Sequence, residues 1–196
     1  MYIIQDNINN YNDNFYNNYN NLNNKDIEKI NKLLKIENKK RFILSRHLLY
    51  NKLKEIYNLD FNNINIYYNN FGKPFIKECY FNISYSFDYV IVAISDKEIG
   101  IDIEKIRNPN LNSINLFCTD NEKKYIMSSR NKNKSFFEIF CLKEAYFKML
   151  GTDLKKMKDI EFNIKNNKVL YHKNNLNIML NNSINNYIIA IIEKED

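Results

Sequence analysis

The side chains with the clearest chemical potential in this sequence fall into two close pairs. Asp102 and Glu104 stand two apart in Glu98-Ile99-Gly100-Ile101-Asp102-Ile103-Glu104, and Glu144 and Lys148 stand four apart in Lys143-Glu144-Ala145-Tyr146-Phe147-Lys148. Ile99, Ile101 and Ile103 alternate with Gly100, Asp102 and Glu104, the period-two pattern of a half-buried strand. Residues two apart on a strand share a face, so the carboxylates would lie side by side, able to share one hard divalent cation. Gly100 leaves the same face bare, so something bulky could approach the backbone there. Residues four apart on a helix are also neighbours, which gives Glu144 a cation one turn on. The first pair could hold a metal ion. Each pair also has an ordinary reading, as acids on the wet face of a strand or as a surface ion pair on a helix.

Periodicity predicts the elements around these residues. A first strand is expected over Met1–Ile4, and the Asn/Tyr-rich stretch 7–24 reads as an irregular surface segment. Ile27, Ile30, Leu33 and Leu34 recur at helical spacing over Lys25–Ile36. A second helix is expected over Lys39–Tyr57, with Phe42, Leu44, Leu48, Leu49, Leu53 and Ile56 as core and Arg41 and Arg46 near its start. His47 lies inside this helix and reads as structural. After a strand over Ile64–Tyr68 and a turn over Phe71–Phe75, the segments Tyr80–Ser86, Tyr89–Asp96 and Ile99–Lys105 predict an antiparallel meander. Helices follow over Asn115–Arg130, with Thr119 or Asp120 as N-cap, and over Lys134–Leu150, ended by Gly151. Ile160–Ile164, Lys168–His172, Leu176–Leu180 and Tyr187–Ile192 read as short strands, with His172 as surface or strand filler. Helices then strands, twice over, indicate an α+β chain of two similar halves, with no sequence repeat between them.

Composition narrows the function classes. With 196 residues, 44% hydrophobic and 27% charged, the chain has the make-up of a soluble globular protein. No apolar run approaches the length of a membrane helix, and Met1–Asp6 lacks the basic and apolar regions of a secretion signal. Cys79, Cys118 and Cys141 are odd in number and lack metal-ligand spacing, so reduced core thiols in the cytoplasm are expected. The formal charge of +6 points to an anionic partner. Phosphate-cradling glycine loops, HExxH and GxSxG motifs are all missing, so side chains and a metal must hold any phosphate.

Four motifs occur in order: Gly72-Lys73-Pro74, Phe81-Asn82-Ile83-Ser84-Tyr85-Ser86, Gly100-Ile101-Asp102-Ile103-Glu104, and the stretch from Lys143 to Gly151. Their order and spacing resemble the 4′-phosphopantetheinyl transferase family, over roughly Arg41 to Gly151, and above all its longer members of the surfactin-synthetase-activating type. The resemblance implies an α+β fold of two similar halves that form a pseudo-dimer within one chain, each a small antiparallel sheet packed on helices. We place the halves at 1–106 and 107–196, with the active site at their junction. It further implies transfer of the 4′-phosphopantetheine arm of coenzyme A to a serine of an apo acyl or peptidyl carrier protein, leaving adenosine 3′,5′-bisphosphate. Asp102, Glu104 and Glu144 would surround a Mg²⁺ that also grips the pyrophosphate, and Lys148 would hold a phosphate oxygen. General base and metal ligand are competing roles for Glu144. Arg41, Lys73 with its neighbour Pro74, Ser84, Tyr85, Asp102 and Lys148 are the expected contacts to coenzyme A. Glu122 matches a family glutamate, although a favourable charge at a helix N-terminus explains it equally well. A monomer is expected, without nucleic-acid or membrane partners.

The sequence departs from the family pattern at three points. Tyr85 replaces a histidine, losing a cation but keeping a hydroxyl donor. Phe140 stands for a tryptophan, and Gly151-Thr152-Asp153-Leu154 for G-x-G-L. Two other readings compete: a catalytically degenerate relative that still binds coenzyme A or a carrier, and a basic nucleic-acid-binding domain rich in Tyr, Phe and Lys. The second has no recognised signature and leaves the carboxylates unused.

Overall fold

The computed structural model describes residues 1–165, 168–170 and 176–195. Strand β1 (Tyr2–Asn7) leads through helices α1 (Asp13–Asn17), α2 (Asn24–Lys32) and α3 (Ile36–Tyr57) to a ribbon, β2 (Tyr67–Tyr68) with β3 (Pro74–Phe75), and a hairpin, β4 (Tyr80–Ser86) with β5 (Tyr89–Ser95). The order then repeats. Strand β6 (Ile99–Lys105) leads through α4 (Ile114–Phe117), α5 (Asp120–Ser128) and α6 (Lys132–Leu150) to the ribbon β7 (Asn163–Lys165) with β8 (Lys168–Leu170), and to the pair β9 (Leu176–Asn181) and β10 (Tyr187–Lys194). The sheets run β1-β5-β4 and β6-β10-β9, antiparallel throughout. Two halves of identical strand order are thus joined in one chain, the architecture of an intrachain pseudo-dimer.

Alternation along the central strands explains how the halves meet. Val90, Val92 and Ile94 of β5 face the core built on α3, while Ile91 and Ala93 face the other way. Ile188, Ala190 and Ile192 of β10 face the core built on α6, and Ile189 and Ile191 face away from it. Those outward residues join Ile99, Ile101 and Ile103 in a third, shared core. Each sheet is therefore covered by a helix on one face and by the other sheet on the opposite face, which is why β5 and β10 are nearly continuous apolar runs.

Several expectations change. The meander stops after two strands, because β5 already has β1 on one edge and β4 on the other. Strand β6 pairs with β10 instead, so the sheets divide the chain between β5 and β6 rather than after residue 106. The face of β6 that carries Gly100, Asp102 and Glu104 is not wet: α6 lies across it, and Asp102 is buried. The Asn-rich stretch 7–24 is ordered, since Asn7, Asn12 and Asn23 each accept a backbone N–H as N-caps and Ile8, Tyr16 and Leu22 enter the core. Helix α2 ends at Lys32, leaving Leu34 at the surface, and the strand expected over Ile64–Tyr68 shrinks to two residues. The helix over Asn115–Arg130 is two helices, with Thr119 forming a capping box with Glu122 at the start of α5. The cysteines are free and buried as expected. His47 is a packing residue, edge-on to Phe15 and Tyr11, and His172 lies outside the described residues.

Candidate active site

Helix α6 supplies Glu144 and Lys148 and is fixed at three places. At its C-terminus Gly151 adopts φ 62°, a left-handed conformation suited to glycine, and its N–H caps the Phe147 carbonyl. The turn between β2 and β3 grips this end: Asn69 donates to the Gly151 carbonyl at 2.8 Å, and Lys73 Nζ donates to the Met149 carbonyl. In the middle, Gly100 lets the helix touch β6. A Cβ at that position would fall 1.9 Å from the Ala145 carbonyl oxygen. On the far side, Lys143 is fully buried, pairs with Glu122 at 2.7 Å and donates to the carbonyls of Phe117, Met157 and Ile160. Glu122 is thus the buried partner of a structural lysine, and it also takes the N–H of Phe162.

Strand β4 positions the carboxylates of β6. Among the described residues the outer edge of β6 has no strand beside it, and side chains of β4 take the place of one. Asn82 accepts the N–H of Ile101 at 3.1 Å, Ser84 that of Ile103 at 3.4 Å, and Ser86 that of Lys105 at 3.1 Å. The same serines orient the acids: Ser84 donates to Asp102 Oδ1 at 2.8 Å and Ser86 to Glu104 Oε2 at 2.9 Å. The alternation Asn82, Ser84, Ser86 was visible in the sequence, but its role depends on an edge that only the fold reveals.

Lys148 Nζ pairs with Asp102 Oδ1 at 2.7 Å and donates to Ser84 at 3.0 Å. Burial would lower the Lys148 pKa, but Asp102 and Glu144 outweigh it and hold the pKa above its ordinary value. Burial raises the pKa of Glu144; Lys148 pulls it back, and the like charges of Asp102 and Glu104 add to the rise. Arg107 pairs with Glu104 at 2.7 Å.

A cleft of about 240 Å³ opens over this cluster, lined by Lys73 and Pro74 of the turn, Asn82 and Ile83 of β4, and Glu144 and Lys148 of α6. Ser84, Asp102 and Glu104 are not in its lining, and Lys148 connects the cleft to Ser84 and Asp102. Arg41 and Tyr85 are not in its lining; they stack on each other, with the guanidinium 5.4 Å from the ring centre. Arg41 also donates to the Phe87 carbonyl at 2.7 Å. Phe140, in the tryptophan position, sits partly buried against Phe117 and Phe136.

The donor set partly fits a hard cation. Asp102 Oδ2 is buried without a hydrogen-bond partner, an acceptor that a cation would satisfy. Among the described residues, however, no three His, Cys, Asp or Glu side chains converge as a ready-made metal cage. Lys148 instead occupies Asp102 Oδ1, and Arg107 occupies Glu104 Oε2.

Family models divide the chain where the two sheets do. The family model for the 4′-phosphopantetheinyl transferase superfamily matches residues 98–192, and that for the N-terminal domain of 4′-phosphopantetheinyl transferase matches residues 9–97, meeting between β5 and β6. The chain belongs to the 4′-phosphopantetheinyl transferase superfamily. It is 33% identical over 121 residues to the 4′-phosphopantetheinyl transferase gsp of Aneurinibacillus migulanus, a match covering 60% of this chain and 51% of that protein. To the transferase Sfp of Bacillus subtilis it is 29% identical over 123 residues, 60% of this chain and 55% of the relative. The chain spans about half the length of the curated relatives it matches. Among solved structures, the holo-[acyl-carrier-protein] synthase of Thermotoga maritima aligns with a TM-score of 0.43 at 25% identity, over 50% of this chain and 63% of that one.

Proposed function

We propose that the protein transfers the 4′-phosphopantetheine arm of coenzyme A to a serine of an apo acyl or peptidyl carrier protein and releases adenosine 3′,5′-bisphosphate. The observation that carries this reading is the convergence of the motifs. The turn holding Lys73 and Pro74, strand β4 and helix α6 line one cleft, and β6 backs it through the Asp102–Lys148 pair.

The residues suit the steps. In the transfer, the serine oxygen bonds to the phosphorus that carries the arm, the pyrophosphate P–O bond breaks, and the serine proton leaves. Glu144, with its raised pKa, is the base we assign to that proton. Lys148 stays cationic beside Asp102 and would hold a phosphate oxygen. Asp102 through its free Oδ2, with Glu104 and Glu144 nearby, would hold a Mg²⁺, which when bound neutralises the pyrophosphate charge. Arg41, Lys73, Ser84 and Tyr85 are the further contacts we assign to coenzyme A. For Lys73 this requires its amine to leave the Met149 carbonyl.

A basic surface suits docking of acidic carriers. No helix among the described residues is long and apolar enough to cross a membrane. The buried free thiols suit a reducing compartment such as the cytoplasm. We also assign the working form as a monomer. The test is release of adenosine 3′,5′-bisphosphate from coenzyme A in the presence of an apo carrier. Asp102→Ala and Glu144→Ala are each expected to cut turnover by about 100-fold or more, with an unchanged circular dichroism spectrum. Near-normal turnover in either variant would remove that residue from the mechanism.

A further inference from the structure

Asp102 and Glu104 are held in parallel ways. Ser84 and Lys148 engage Asp102 Oδ1, and Ser86 and Arg107 engage Glu104 Oε2. The two cations differ in freedom. The Lys148 side chain is 29% exposed and braced by Ser84, whereas that of Arg107 is 47% exposed. Its remaining contacts are the Lys105 carbonyl at 3.0 Å and the faces of the Phe137 and Phe87 rings at 4.8 Å and 5.9 Å.

We propose that Arg107 is an internal counter-ion that competes with a divalent cation for Glu104 and so sets how readily the carboxylate pair takes up metal. The proposal rests on reading Asp102 and Glu104 as cation ligands. Two carboxylates this close repel each other, and each is balanced by a side-chain cation. A guanidinium 2.7 Å from Glu104 occupies a ligand oxygen and repels an arriving ion. Lys148 cannot leave without baring the buried Asp102, whose side chain is 5% exposed, but Arg107 is 47% exposed and its partner Glu104 20% exposed, so the Arg107–Glu104 pair is better screened and opens at lower cost. Arg107 is thus the cation that yields. This is a positioning role, exerted through Glu104.

The test is Mn²⁺ binding to the full chain without coenzyme A, read from the electron paramagnetic resonance signal of free Mn²⁺. Arg107→Gln is expected to tighten binding by about three- to tenfold. Arg107→Lys, which keeps the charge, is expected to stay within about twofold of the parent. Lys105→Gln removes the same net charge from a side chain that lies over the Phe87 ring at 4.7 Å, and is also expected to stay within about twofold. Unchanged or weaker binding by Arg107→Gln, or equal tightening by Lys105→Gln, would overturn the proposal. An Asp102→Ala variant that binds Mn²⁺ like the parent would instead place the metal elsewhere and remove the reading beneath it. Absence of binding by every protein would overturn both.

Discussion

Glu144 is held where a carboxylate is least comfortable ionised, partly buried and facing two other acids with one lysine to offset them. Its folded pKa lies above its unfolded value, so the unfolded chain gives up this proton first as pH rises. The stability tied to Glu144 is complete below the unfolded value of 4.5 and is lost as pH climbs through the raised folded value. Glu144→Gln removes that loss. The variant is expected to melt higher than the parent at about pH 8, with the difference vanishing near pH 4, while transfer falls by about 100-fold or more. A parent that melts higher at pH 8 would mean that Glu144 is favourably paired rather than strained for function. Type and spacing alone marked Asp102 and Glu104 as a possible cation pair, while Glu144 and Lys148 gained their proposed roles from the resemblance of the four ordered motifs to the transferase family. Lys143 could not be picked out: within one sequence nothing separates it from the other lysines, and only its burial against Glu122 and three carbonyls gives it a role. Arg107 was equally silent, because its partner is set by how the chain leaves β6.

At the scale of elements, the central contact is helix on strand at Gly100. A methyl group there would meet the backbone of Ala145 at 1.9 Å and of Met149 at 2.5 Å, and backbone cannot step aside as a flexible side chain can. Gly100→Ala is expected to cost about 3 kcal/mol or more, lowering the melting temperature by roughly 6–12 °C, and to reduce turnover because Glu144 and Lys148 ride on the displaced helix. A variant within about 1 °C of the parent would show that α6 packs differently. Local pattern revealed α3, α6 and the β4–β5 hairpin, because helical period, the Gly151 stop and strand alternation are written in neighbouring residues. Pairing was not written there. That β6 joins β10 rather than β5 depends on β1, at the start of the chain, having taken the free edge of β5. The stretch 7–24 misled for a different reason. Repeated asparagines resemble low complexity, yet here they cap short helices whose few apolar residues reach the core.

At the scale of the molecule, the chain is one topology used twice, back to back, without visible sequence repetition. The two copies share an isoleucine-rich core and a ladder of side-chain hydrogen bonds from β4 to the edge of β6. Such an edge would otherwise be open to pairing with another chain. Ser84 and Ser86 of this ladder also hold the carboxylates of Asp102 and Glu104, so the same side chains join the halves and orient the acids. Whether this cleft primes carrier proteins is read most directly from the intact mass of an apo carrier incubated with the protein, coenzyme A and Mg²⁺. A gain of one phosphopantetheine arm on the carrier serine is expected, abolished by a chelator and restored by added Mg²⁺. No gain on any acyl or peptidyl carrier, from a protein that still binds coenzyme A, would contradict that role.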